Sequence, residues 1–208
     1  MRKLMVMAFM SVDGVVQAPG GVDEDRDGGF EHGGWAVPHF DQALIEHMTA
    51  LIGRAGALLL GRRTYEGFAA TWPLAGEDDP IGAQMNGLPK YVASRTLDTV
   101  SWRNSTLLTG DVARAVGELK RGGGGEIQVH GSGGLVQTLL AHDLVDEFHL
   151  LTFPVLIGTG KRLFAEGTAP AGLRPAETTT SGTGVLTCTY AREGKLEYGS
   201  MGPETGSR

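Results

Sequence analysis

Cysteine is all but missing from this 208-residue chain, with Cys188 the single example. A disulfide framework is thereby excluded, and a reducing cytoplasm is the expected setting. No apolar run approaches the ~20 residues that a membrane span needs, so no membrane partner is expected. The opening MRKLMVMAFMSVDG has two basic residues and a short apolar run that ends in Asp13-Gly14. Without a small-residue cleavage site it reads as a mature first strand and not as an export signal. Positive charge is also scarce: 18 Lys and Arg against 24 Asp and Glu leave a net charge of −6. That balance argues against nucleic acid held by bulk electrostatics, and a phosphate-bearing ligand would need basic residues focused at one place.

Glycine is what the chain has in excess: 33 of 208 residues, about twice the ~7% of an average globular protein. The excess has no every-third-residue period, which excludes collagen. Hydrophobic residues make up 41% of the chain, which excludes low-complexity disorder. With no internal repeat and no convincing linker, residues 1–192 are expected to form one domain followed by a polar tail over 193–208.

Lys3 to Met10 is strand-length and apolar, and it leads into a Gly- and Asp-rich stretch to about Pro38 that is too long for an ordinary connector. A functional lid and a disordered segment both fit that stretch. Leu44, Met48, Leu51 and Ile52 then mark one face of a helix over 41–54, with Asp41 placed to cap it. Ala57 to Leu60, between Gly56 and Gly61, is a continuous apolar run that predicts a strand buried on both faces, hence a parallel sheet. Short strands follow at Lys90–Ala93, Thr106–Thr109 and Ile127–His130. Between the last two lies a helix from Asp111 to Arg121, ended by four glycines at 122–125, and a further helix carries Leu135, Val136, Leu139 and Leu140. Val145 to Ile157 reads as a long strand that Pro154 bends or ends. The Thr- and Val-rich segments around 178–180 and 185–190 read as a closing antiparallel hairpin. Alternating strands and helices place the chain in the α/β class, with a mostly parallel central sheet flanked by helices and antiparallel C-terminal strands.

Three strand ends carry the same punctuation. GRRTYEGF follows the first buried run, Ser94-Arg95-Thr96 follows KYVA, and GSGGL follows IQVH. Ligands of open α/β sheets bind at the carboxyl ends of strands, so these segments should converge on one edge. Glycine lets a backbone approach phosphate, amides at a helix start point at anions, and Ser or Thr hydroxyls add donors. Arg62, Arg63 and Arg95 would supply focused positive charge with bidentate geometry. Together the segments point to a dinucleotide, although GSGGL is not the Rossmann fingerprint, because Val136 stands where its third glycine would be.

The runs LLLGRRTYE, KYVASRTL, VHGSGGLVQTLL and VDEFHLLTFPVLIGTGKRLF, in that order, resemble the dihydrofolate reductase superfamily. The nearest branch is that of the reductase domain of the riboflavin-biosynthesis bifunctional deaminase–reductase and of stand-alone bacterial reductase-like proteins. The resemblance spans Met1 to about Arg192. It implies NADPH as hydride donor, a small-molecule substrate and commonly a homodimer. By position it implies that Gly61, Arg62, Arg63, Thr64, Ser94 and Arg95 touch the phosphates. Gly131, Ser132, Gly133, Gly134 and Leu135 would form a second pyrophosphate cradle, and Ser11-Val12-Asp13-Gly14 would border nicotinamide and substrate. Where dihydrofolate reductase has W-x-x-P-x-[D/E], this chain has Trp35-Ala36-Val37-Pro38-His39-Phe40-Asp41, with the acid one residue late, which argues against folate.

Hydride transfer leaves a site that must gain a proton, so Asp13, His39 and Asp41 are candidate acids. Asp13 could instead shape a turn and Asp41 cap a helix, and Trp35 could cover the site or merely pack. A non-catalytic nucleotide-binding or sensing module and a flavin-dependent reductase are the competing readings. Asp23-Glu24-Asp25-Arg26-Asp27-Gly28 opens like a calcium loop, but its twelfth position is Gly34, so an acidic solvated lid is expected and no metal. Asp143, Asp146 and His149 are read as surface charge, and Cys188 as a small buried residue.

Overall fold

The computed structural model describes residues 1–76 and 78–201; the end of the polar tail, 202–208, lies outside the described residues. Strands β1 (Leu4–Ser11), β2 (Ala55–Gly61), β3 (Lys90–Ala93), β4 (Ser105–Leu108), β5 (Glu126–His130), β6 (Glu147–Phe153), β7 (Leu173–Thr180) and β8 (Leu186–Arg192) join in one sheet. Their order is β4-β3-β2-β5-β1-β6-β8-β7. The first six are parallel and the last two antiparallel. Helices α1 (Gln42–Gly53), α2 (Arg62–Thr71) and α3 (Pro80–Gly87) cover one face, and α4 (Val112–Arg121) and α5 (Gly133–Ala141) the other.

The two-sided cover explains the apolar run of β2. Leu58 and Leu60 pack toward α2 and α3, and Leu59 packs toward α4 and α5, all three with no exposure. Each such side chain contributes about 1.5–3 kcal/mol by leaving water. The sheet is offset where β2 begins: at the irregularity between Ala55 and Ala57, Gly56 lies so close to Gly125 that a Cβ on Gly56 would sit 2.6 Å from the Gly125 amide nitrogen. The glycines after α4 therefore do more than end a helix, since Gly125 lets β5 start against β2. Helix α1 begins as its sequence predicts, with the Asp41 carboxylate accepting from the Leu44 amide at 2.8 Å. Strand β6 stops at Phe153, immediately before Pro154. Helix α3 and most of β7 had no periodic apolar signal: α3 rests on its Asp79 cap and Pro80, and β7 is exposed along its whole length.

Segment 12–40 packs against the rest of the chain. Val15, Ala18 and Phe30 are buried beneath it as a small core of their own, and two 3-10 turns shape it. The supposed surface cluster of Asp143, Asp146 and His149 is three separate things. Asp143 pairs with Arg192 at 2.7 Å. Asp146 accepts from the Leu4 amide at 2.7 Å and from the buried Lys120 at 2.6 Å. His149 is buried between α1 and β8, its Nε2 2.8 Å from Nε2 of His47 and its Nδ1 2.7 Å from the Thr189 hydroxyl. Cys188 is buried, as its setting in β8 predicts.

Burial holds both His130 and His149 at a pKa of about 4, with electrostatic repulsion from His47 and Arg54 adding to the effect at His149. The folded chain keeps both rings neutral while the unfolded chain takes up protons from 6.5 downward. Stability should therefore decline as pH falls from 6.5 toward 4, a decline that begins above the range in which the carboxylates act. Thermal melts across this window test it: His149→Gln should flatten the slope, and a variant with an unchanged slope would contradict the assignment.

Candidate phosphate cradle at the carboxyl edge of the sheet

The carboxyl ends of β3, β2, β5, β1 and β6 line up along one edge, with Gly61 paired to Ala93 and Met7 to His130. At the centre of that edge two helices begin side by side. Ser132, the residue preceding α5, has a left-handed backbone (φ +60°), unusual for a residue with a side chain. Its hydroxyl oxygen accepts from the Gly61 amide at 3.0 Å and lies 2.7 Å from the Thr64 hydroxyl. The start of α2 is thereby tied to the start of α5. A Cβ on Gly61 would meet the Ser132 Oγ at 3.0 Å, so glycine is what allows the approach.

Capping separates these two helices from the rest. Helices α1, α3 and α4 each start on an aspartate whose carboxylate accepts first-turn amides. Neither α2 nor α5 has a side-chain cap. Their first-turn amides, on Arg62, Arg63 and Thr64 and on Gly133, Gly134 and Leu135, keep the partial positive charge that attracts phosphate. The Leu135 side chain belongs to the core, so only its backbone faces the edge. Ser94 shapes the neighbouring turn by accepting from the Thr96 and Leu97 amides at 3.1 and 2.9 Å. Arg95 is exposed beyond it, with no carboxylate in ion-pair range among the described residues. Arg62 pairs with Glu66 at 3.0 Å, and Arg63 pairs with Asp25 and Asp27. Farther along the same edge a cavity of about 560 Å³ opens among Leu108, Gly110, Asp111 and Arg114, where β4 runs into α4.

On the opposite side, near the ends of β1 and β6, the predicted acids have structural partners. Asp13 accepts from the Ser11 hydroxyl at 2.7 Å and from the Ile157 and Gly158 amides at 3.1 and 2.8 Å. The Ser11 bond, then those two amides, draw its pKa down to about 2. Asp41 accepts from Leu44 and from the Thr183 amide at 3.1 Å, bracing α1 to the β7–β8 turn. The Leu44 bond leads in lowering its pKa, against a partial opposing effect of burial. Both are ionised acceptors at neutral pH. Trp35 donates from Nε1 to the Gln17 carbonyl at 2.7 Å and meets Phe153 edge-on at 5.5 Å. Phe9, Phe40 and His39 surround the same Phe153 ring at centroid distances of 5.4, 6.1 and 6.1 Å. Phe40 thus belongs to an aromatic wall with Phe9, Trp35 and Phe153.

The segment after β6 escaped the reading of individual residues, although its Gly158-Thr159-Gly160-Lys161-Arg162 run repeats the glycine-and-cation punctuation of the other strand ends. It is bound to the end of β1 through the Val16 and Leu163 amides, and Arg162 donates to the Asp13 carbonyl. Asp25 and Asp27, read as part of a solvated lid, are instead held by Lys161 and Arg63. Among the described residues no three His, Cys, Asp or Glu side chains are grouped to hold a metal ion, and no helix is long and apolar enough to cross a membrane.

The sequence model of the family described as the RibD C-terminal domain matches residues 2–187. The uncharacterized Bacillus subtilis protein YyaP is 24% identical over 192 residues, covering 91% of this chain and 94% of that protein. Among solved structures, a candidate riboflavin biosynthesis protein from Shewanella sp. PV-4 superposes with a TM-score of 0.66 at 22% identity, over 92% of this chain and 99% of the other. A pyrimidine reductase-like protein from Corynebacterium diphtheriae gives 0.60 at 14% identity, over 92% of each chain. These likenesses show the fold.

Ser132→Ala leaves the Gly61 amide and the Thr64 hydroxyl without their partner and should cost about 1–3 kcal/mol in urea unfolding. Ser132→Gly deletes the same bonds but relaxes the left-handed backbone, so it should cost less. Equal unfolding midpoints for wild type and Ser132→Ala would contradict the tie.

Proposed function

The chain belongs to the RibD C-terminal domain family, and from that membership and the cradle we propose that it is an NADPH-dependent reductase of a small heterocyclic or carbonyl substrate. The observation that carries the reading is the pair of uncapped helix starts joined through Ser132. A diphosphate bridging α2 and α5 would satisfy amides that have no side-chain partner of their own. On this reading Arg62, Ser94 and Arg95, beside β3 and β4, would hold a 2′-phosphate, and the cavity beside Arg114 would take the base. Trp35 and the Phe9–Phe40–Phe153 wall, beside β1 and β6, would border the nicotinamide.

When bound, the cofactor supplies a hydride to a C=N or C=O carbon of the substrate. The chain's own residues bind, orient and exclude water. Phe40 and Trp35 offer flat apolar surface to a planar ring, with no carboxylate at the position that holds a pterin. Asp13 is a positioning residue: by accepting the Ile157 and Gly158 amides it fixes the loop after β6 against the end of β1. Because Asp13 and Asp41 hold no proton at neutral pH, neither would supply the substrate's new proton. That same scarcity of acids favours a second reading, a module that holds the nucleotide without turnover. Single-turnover oxidation of bound NADPH by any member of a pterin, flavin, pyrimidine and quinone panel would reject that second reading.

Saturating NADPH should raise thermal stability by a few kcal/mol and NADH by less. Arg95→Ala should cut the NADPH-over-NADH preference roughly tenfold, the value of one charge-assisted phosphate contact. Absence of any shift with NADPH sinks the reductase reading. Unchanged selectivity in Arg95→Ala and Arg62→Ala alike would mean that the 2′-phosphate lies elsewhere.

A further inference from the structure

Beside the cradle, two cations from distant parts of the chain face one acidic segment. Arg63, in the first turn of α2, donates to both carboxylate oxygens of Asp25 at 3.0 and 3.2 Å and pairs with Asp27. Lys161, in the loop after β6, donates to Asp25 at 2.5 Å and Asp27 at 3.0 Å. The buried Gln17 ties the acidic segment to the loop after β6. Its Nε2 donates to the Asp25 and Asp27 carbonyls, each at 3.0 Å, and its Oε1 accepts from the Lys161 amide at 3.0 Å. A cavity of about 300 Å³ adjoins it, lined by Asp27, Gly28, Phe30 and Lys161 among others.

The chemistry of this contact is that of a phosphate site. Two carboxylates shared by one guanidinium and one ammonium present two negative charges through clustered oxygens, as a phosphate monoester dianion does, and Arg63 offers the fork geometry that suits either. The carboxylates are covalently part of the chain, yet the contact is not built like a permanent brace. Arg63, Lys161 and Asp27 are each close to half exposed and only Asp25, at 19%, is more enclosed; exposed ion pairs are individually weak and screened by salt. Gly28 and Gly29 follow immediately, both with positive φ, so the segment has a pivot beside its acids. Of the other two acids of the run, Asp23 pairs with Arg26 and Glu24 accepts from the Gly20 and Gly21 amides.

We propose that Arg63 and Lys161 form a phosphate-binding site that Asp25 and Asp27 fill from within, so that a ligand phosphate enters by displacing the acidic segment and releases the loop over 20–34. The segment then sets a threshold for phosphate: a neutral ligand leaves the loop clamped, and a doubly charged one exchanges places with it. Which phosphate arrives, the cofactor's or one carried by the substrate, rests on the reductase reading; the exchange itself does not.

Calorimetric titration with pyrophosphate, ribose 5-phosphate and NADPH tests this on the wild type, on Asp25→Asn/Asp27→Asn and on Asp23→Asn/Glu31→Gln, which removes two charges from the same loop without touching either cation. Pyrophosphate should bind the first variant at least tenfold more tightly than wild type and the control variant nearly as wild type does. Tightening of NADPH with ribose 5-phosphate unchanged identifies the cofactor's phosphate, the converse identifies the substrate's, and both uphold the site. In wild type, pyrophosphate should also speed amide hydrogen exchange across 20–34, a readout that needs no variant to fold. Equal or weaker pyrophosphate affinity in Asp25→Asn/Asp27→Asn, equal tightening in the control, or unchanged exchange overturns the proposal. Tightened pyrophosphate with no NADPH binding by any of the proteins upholds the site and removes the reductase reading.

Discussion

The hydroxyl of Ser132 is the contact on which the candidate site depends. It joins two helix starts that would otherwise be separate features of a parallel sheet, and it does so from a left-handed backbone that the preceding glycine and the first turn of α5 hold in place. Strain of that kind persists only where the surroundings over-determine it, and it clusters at ligand clamps. The consequence is electrostatic. Aspartates neutralise the starts of α1, α3 and α4, whereas the two starts at the edge are left with their amides pointing outward. An acidic chain thus concentrates positive potential at one place without a basic composition.

The same economy explains the acids. Asp13, Asp41 and the Asp25–Asp27 pair each take several donors, and each ties segments far apart in sequence: β1's end to the loop after β6, α1 to the β7–β8 turn, and the 12–40 segment to α2. Asp13 and Asp41, the candidate acids, both make such fastening contacts. What remains at the β1–β6 end is an aromatic wall, which suits a flat uncharged ring better than a group needing an anionic partner.

Much of this was legible from residue order. Continuous apolar runs bounded by glycine gave the buried parallel strands, and Asp41 and Asp111 gave helix starts, because burial on two faces and capping are local rules. The convergence of Gly61 and Ser132 on one edge followed from the placement of both at strand ends. What periodicity did not convey was long-range pairing. His149 reads as surface charge beside two aspartates, yet β6 turns it inward against His47 and Thr189. Arg63 reads as a phosphate ligand, but its pairing with Asp25 and Asp27 was not legible, because no spacing rule links 25 to 63 or to 161. Gly125 reads as a helix terminator because only the sheet register brings it against Gly56.

The central claim is that the starts of α2 and α5 act together as one diphosphate cradle. Amide-resolved magnetic resonance during NADPH addition tests it most directly. The account predicts that the largest shifts fall on residues 62–64 and 133–135 and saturate at a common concentration. Shifts confined to one of the two helix starts, or centred on another edge of the sheet, would contradict it.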